Sequence, residues 1–160
     1  VIFLPDRYLG AHVARHTRKR LVLWQGACEV HERFTGEQVR ALRAPGVRVL
    51  AHPECPADVL EAADFVGSTA AMGTDIRRSG AQRVVLITEC SMAANLAVEF
   101  PTVEFTQPCN LCPHMQRITL PKIYAALRDN TGVVEVAPAV AAGARRALQQ
   151  MLDVGRREAA

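Results

Sequence analysis

Six short aliphatic runs, each bounded by turn residues, recur along the chain with stretches of helical period between them. That alternation restricts the fold more than any other feature of the sequence. Strands joined through helices run parallel, and a parallel sheet is covered on both faces, so its strands read as unbroken apolar runs. The runs fall at residues 1–4, 21–24, 47–51, 65–66, 83–88 and 103–106, all β-branched or aliphatic in character. An α/β fold with a parallel sheet is predicted, the third to sixth strands forming one complete repeat.

The helix signals lie in the intervals. Thr35-Gly36-Glu37-Gln38 has capping-box spacing ahead of Val39 and Leu42, and Pro56 suits the first turn of a helix carrying Val59, Leu60 and Ala63. Gly80 can stop a helix that begins near Ser68. Ser91 can cap a helix over 92–100 that Pro101 ends, and Thr119 or Leu120 opens one through Leu127 that stops before Gly132. Residues 139–157 read as one long terminal helix whose apolar stripe, Val140, Ala144, Leu148 and Met151, is expected to face the protein.

At 160 residues, 49% hydrophobic and 22% charged, the chain can bury a real core. The net charge of +3 is interspersed and only 5% of residues are aromatic, so no basic groove with stacking rings is predicted and nucleic acid is not an expected partner. The densest basic stretch, Arg15 to Arg20, reads as a helix end and the solvated turn after it. No apolar run approaches the ~20 residues that cross a bilayer, and the start lacks the pattern of a signal peptide, so a cytoplasmic protein without membrane contact is expected. Five cysteines are expected to be reduced thiols engaged in metal or redox chemistry. Because the chain starts at Val1 on a strand-like run, an upstream part of a longer protein is expected to be absent.

In an open parallel sheet, ligands gather beyond the carboxyl ends of the strands. The polar outliers fall there. Gln25, Cys28 and His31 follow the second run, His52 and Glu54 the third, Ser68 and Thr69 the fourth, Glu89 the fifth, and Cys109 and Cys112 the sixth. Cys28 and Cys112, 84 residues apart, are candidate ligands of a shared metal centre. A structural zinc site needs four ligands in paired spacings, and only Cys109 and Cys112 are close; an iron–sulfur cluster accepts ligands from distant segments and can leave one iron open. Buried core cysteines are the alternative. Cys109-x-x-Cys112 also has the spacing of a redox pair. Cys55 and Cys90, beside Glu54 and Glu89, suit small packing positions equally well.

His52-Pro53-Glu54 puts an imidazole and a carboxylate in one loop, a pairing suited to proton transfer or to capping the loop. Ser68 and Thr69 follow Gly67 at a helix start, where hydroxyls and free N–H groups bind a phosphate or carboxylate, or simply cap the helix. His31 lies about one helical turn after Cys28. His12, His16 and His114 suit surface or capping roles.

Phe3-Leu4-Pro5-Asp6 with Leu9-Gly10, Trp24-Gln25-Gly26-Ala27-Cys28 with Val30-His31, His52-Pro53-Glu54-Cys55, Gly67-Ser68-Thr69, Thr88-Glu89-Cys90, and Cys109-Asn110-Leu111-Cys112-Pro113-His114-Met115 before Thr119-Leu120 together resemble quinolinate synthase, in order from Val1 to about Leu127. The resemblance implies a transferase of NAD biosynthesis that condenses iminoaspartate with dihydroxyacetone phosphate, expelling phosphate and water. It implies three-layer αβα lobes about a pseudo-threefold axis, each lobe giving one cysteine to a [4Fe–4S] cluster with a free iron, and Cys28 and Cys112 as two of those metal ligands. Glu54 resembles the family's proton-moving carboxylate, and His31 and His52 its substrate-contacting imidazoles. Ser68, Thr69 and Met115 match substrate-binding or cluster-neighbouring positions, and Glu89 matches a motif position of unassigned role.

On this resemblance residues 1–30 are the remaining part of the middle lobe, 31–115 a complete lobe, and 116–160 carboxyl-terminal helices packing back on the other lobes. The first lobe and the third cysteine are missing, so the chain alone is expected to be inactive, with the amino-terminal lobe and L-aspartate oxidase as expected partners. Two rival readings are a non-catalytic metal-binding or scaffold protein of the same fold, with zinc on Cys28, Cys109, Cys112 and His114, and a thiol–disulfide protein using Cys109 and Cys112.

Overall fold

The first βαβ unit is short: β1 (Ile2–Phe3) and β2 (Val22–Leu23) pair in parallel, with α1 (Arg7–Arg15) between them. The Asp6 carboxylate caps α1 by accepting the Leu9 N–H at 2.8 Å. The helix ends at Arg15, and Arg18, Lys19 and Arg20 lie exposed beyond it, as the charge pattern predicted. The computed structural model describes residues 1–158.

A 3-10 turn (His31–Arg33) leads to α2 (Gly36–Ala41), which starts in the predicted capping box: Gln38 N–H reaches Thr35 Oγ1 at 3.3 Å, and Thr35 N–H reaches Gln38 Oε1 at 3.0 Å. Then follow β3 (Val47–Ala51), α3 (Ala57–Ala62), β4 (Phe65–Val66), α4 (Thr69–Ser79), β5 (Arg83–Ile87), α5 (Ser91–Glu99) and β6 (Glu104–Thr106). The strands form one parallel sheet in the order β4-β3-β5-β6. This is the repeat predicted for the third to sixth runs. Gly80 closes α4 at φ 65°, a conformation that strains any residue bearing a Cβ.

Alternation along the central strands decides the layers. Val49 and Ala51 of β3 and Val85 and Ile87 of β5 enter one core with Phe34, Val39 and Val59. Leu50, Val84 and Leu86 point the other way, into a second core with Met72, Ile76 and Leu96 of α4 and α5. Both faces are buried, which is why these strands carry no polar alternation. Arg48 and Asp75 tie β3 to α4 through paired contacts of 2.6 and 2.9 Å.

Two local expectations are revised. Ser91 is the first residue of α5 and Cys90 holds the cap position; the Glu89 carboxylate, accepting the Ser91 N–H at 2.7 Å, performs the capping. Thr88 lies beyond β5 instead of ending it.

The chain divides into two compact units, 1–117 and 118 onward. The second contains α6 (Leu120–Asp129), opened at Thr119 and closed by Asn130 at φ 53° ahead of Gly132, and α7 (Pro138–Glu158). No described helix is long and apolar enough to cross a membrane.

Candidate metal and active site

From β3 the chain crosses first to β4 on one side and then to β5 on the other, so the crevice beyond β3 and β5 is the switch point of the sheet. His52 and Glu54 leave the end of β3, and Thr88 and Glu89 leave the end of β5. Together with Cys28, His31, Thr69, Cys112 and Met115 they line a cavity of about 480 Å³. Ser68 is absent from this lining; its hydroxyl accepts the Ala71 N–H at 3.2 Å and caps α4.

The loop that carries Cys28 is fastened to the first βαβ unit. Asp6, only 3% exposed, caps α1 with one carboxylate oxygen and with the other accepts the Cys28 N–H at 2.7 Å. Arg7 N–H donates to Gly26 O at 2.8 Å, and a Cβ on Gly26 would stand 2.8 Å from Pro5 O, so only glycine allows this approach. Cys112 is fastened from the opposite side. Its N–H donates to Glu89 Oε1 at 3.2 Å, and a parallel bridge between Glu89 and Asn110 continues the β5–β6 ladder toward it. Glu89 therefore anchors the Cys112 loop and the start of α5 at once.

The expectation of five reduced thiols is corrected. Cys90 and Cys109 form a disulfide, while Cys28, Cys55 and Cys112 are free. The pairing follows from topology: Cys90 and Cys109 leave the ends of adjacent parallel strands, whereas Cys112 is drawn to Glu89. Cys109 and Cys112 are thus not the redox pair their spacing allowed. Nor do Cys109 and His114 join Cys28 in a zinc set, since His114 lies 2.8 Å from Glu29. Cys55 is a core residue, 1% exposed, its thiol pushed up by burial.

The ionisable centre of the cavity is His31, 6% exposed. Nε2 lies 3.0 Å from Thr88 Oγ1, Nδ1 lies 3.1 Å from Glu54 Oε2, and the ring stacks on His52 with centroids 4.5 Å apart. Burial, helped by His52, lowers the His31 imidazole to about 4. Burial also lowers His52 and raises Glu54 and the Cys28 thiol. In each case burial shifts the balance toward the neutral form. Asp6 and Thr88 stand in the sequence motifs without an assigned role, as does Glu89; the available signals were Asp6 at a helix start and Thr88 at a strand end.

The depressed imidazole sets a pH dependence. As pH falls below about 6.5 the unfolded chain gains a proton at residue 31 that the folded chain refuses until about pH 4, so stability is lost across that window. His31→Gln lacks this loss. In metal-free protein, urea unfolding at pH 7 and 4.5 is expected to show wild type losing about 2–3 kcal/mol more than the variant. Parallel losses would contradict the burial argument.

The fold and the cavity define an α/β protein that gathers thiols, imidazoles and a carboxylate at the switch point of a parallel sheet. The sequence model of the family described as quinolinate synthetase A protein matches residues 1–153. The chain belongs to this family. It is 56% identical over 156 residues to quinolinate synthase of Agrobacterium fabrum, covering 96% of this chain and 45% of that protein. It is 55% identical to quinolinate synthase 1 of Mesorhizobium japonicum, covering 96% and 48%, and 53% identical to quinolinate synthase of Xylella fastidiosa, covering 96% and 46%. The chain spans somewhat less than half the length of these relatives.

Proposed function

We propose that the chain is the carboxyl-terminal part of a quinolinate synthase, a cytoplasmic transferase that condenses iminoaspartate with dihydroxyacetone phosphate. The observation that carries this reading is the convergence of Cys28 and Cys112 on one cavity with His31, His52 and Glu54. The strands β3–β6 and their helices correspond to the complete lobe at 31–115, and residues 1–30 to the remainder of the middle lobe. The helices within 116–160 would pack back on other lobes. L-aspartate oxidase, handing over the unstable iminoaspartate by contact, is the partner this chemistry favours.

Of the three free cysteines, Cys28 and Cys112 are half-buried in the cavity wall and Cys55 is closed in the core. That donor set fits two ligands of a three-cysteine [4Fe–4S] cluster, the third coming from the part of the fold that the longer relatives carry. When bound, the cluster supplies a Lewis-acidic iron that eases loss of a hydroxyl group. Glu54, whose affinity for its proton is raised by burial, lies 3.1 Å from His31 Nδ1, within the range for proton exchange at the cavity wall. His52 covers the His31 ring and keeps water from it. Thr69 brings its hydroxyl, and the start of α4 its N–H groups, toward a substrate carboxylate or phosphate, while Ser68 closes the first turn of that helix. Met115 bounds the remaining side.

A chimera tests the reading. This chain replaces the matching segment of the Agrobacterium fabrum relative and is reconstituted anaerobically with iron and sulfide. Quinolinate is expected from the chimera, and none from the 160-residue chain alone above a Cys28→Ala control. A folded, cluster-loaded chimera without turnover overturns the function; turnover by the chain alone overturns its dependence on the rest of the fold.

A further inference from the structure

One ligand atom from each of Cys28, His31 and Glu54 lies within 4.8 Å of the other two. Two details at His31 give this grouping chemical content. The ring is buried, and its Nε2 is paired with Thr88 Oγ1 at 3.0 Å, which leaves Nδ1 as the ring nitrogen without that support. Nδ1 has no hydrogen-bond partner among the described residues, although Glu54 Oε2 stands 3.1 Å away. A buried ring nitrogen and a carboxylate oxygen thus face each other without an aligned hydrogen bond, and a cation between them would coordinate both. A polar partner on the far nitrogen is also how proteins orient the ring of a metal-binding histidine.

The third donor is soft and already positioned. Asp6 holds the Cys28 backbone at 2.7 Å, and the Cys28 Sγ lies within 4.8 Å of the Glu54 carboxylate. Sulfur, imidazole nitrogen and carboxylate oxygen are the three donor types zinc takes, and three protein ligands with an open fourth position is its usual reactive arrangement. Bond lengths of ~2.0–2.3 Å put tetrahedral ligand atoms about 3.3–3.8 Å apart, so small side-chain rotations close the set. Cys112 lines the same cavity but is not a member of the group.

We infer that this chain binds one thiophilic divalent cation of the zinc class on Cys28 Sγ, His31 Nδ1 and a Glu54 carboxylate oxygen, its fourth position open to the cavity. The site is mononuclear and needs neither sulfide nor a third cysteine, so it goes beyond the cluster reading above; the two occupants exclude one another because both require the Cys28 thiolate. Binding displaces the Cys28 thiol proton and any proton held by Glu54 and His31 into solvent, and affinity therefore rises with pH.

Cobalt(II) is the probe, added to metal-free 160-residue chain without iron, sulfide or substrate. The expected result is a thiolate-to-cobalt charge-transfer band that saturates at one ion per chain and is displaced by zinc. Cys28→Ser should abolish the band, and His31→Gln and Glu54→Gln should each weaken binding at least about 10-fold, while Cys112→Ser and His114→Gln should keep it. Thr88→Val, which preserves shape and removes only the partner of Nε2, should weaken binding about 10- to 100-fold. Wild-type chain that shows no band, or a band lost with Cys112→Ser and retained in Cys28→Ser, overturns the site. These results do not depend on the reaction proposed above, and activity of the chimera does not depend on them.

Discussion

Glu54→Gln in the reconstituted chimera is expected to lower kcat for quinolinate formation by about 100- to 10,000-fold, the range associated with loss of a positioned proton-transfer group. The amide keeps the size of the side chain and can still hydrogen-bond, so what is lost is the exchangeable proton 3.1 Å from His31 Nδ1 and 3.6 Å from His52 Nδ1. Steady-state kinetics should show the fall in kcat with iron and sulfide content unchanged. A rise in KM at constant kcat would assign Glu54 to binding alone.

Leu86→Ala is expected to destabilise the chain by about 2–5 kcal/mol, the usual cost of removing a fully buried leucine side chain. Leu86 is 0% exposed at the middle of the sheet, where β3 and β6 flank β5. Its face of the sheet packs on Met72, Ile76 and Leu96. Urea unfolding should show a lower midpoint at unchanged m-value. A change below about 1 kcal/mol would mean that the second core collapses around the deletion. The effect bears on function because β5 is also the rod that presents Thr88 and Glu89: loosening its packing loosens the hydroxyl that orients His31 and the carboxylate that anchors Cys112.

Much of the fold was legible because it is written in local interactions. Val47–Ala51 and Phe65–Val66 were read with their observed bounds, the Thr35 capping box formed as spaced, and Gly80 stopped α4. Each depends on residues within a few positions of one another. The errors fell at the end of β5 and the start of α5: Ser91 gave way as a cap to the Glu89 carboxylate two residues before it, and Thr88 lies beyond β5 beside His31, 57 residues away in sequence.

The candidate site divides along the same line. Residue type and order alone pointed to a parallel α/β chain with polar groups at its strand ends, and the resemblance of its ordered motifs to quinolinate synthase singled out Cys28, His31, His52, Glu54 and Cys112. Only the tertiary structure decided which of them meet. Strand adjacency joined Cys90 to Cys109 and released Cys112 to Glu89, and a buried Asp6 reached across 22 residues to hold Cys28. Burial then made His31 a neutral base whose Nδ1 faces Glu54. Sheet order, burial and the orientation of the His31 ring depend on contacts between remote segments, and no local pattern in the sequence records them.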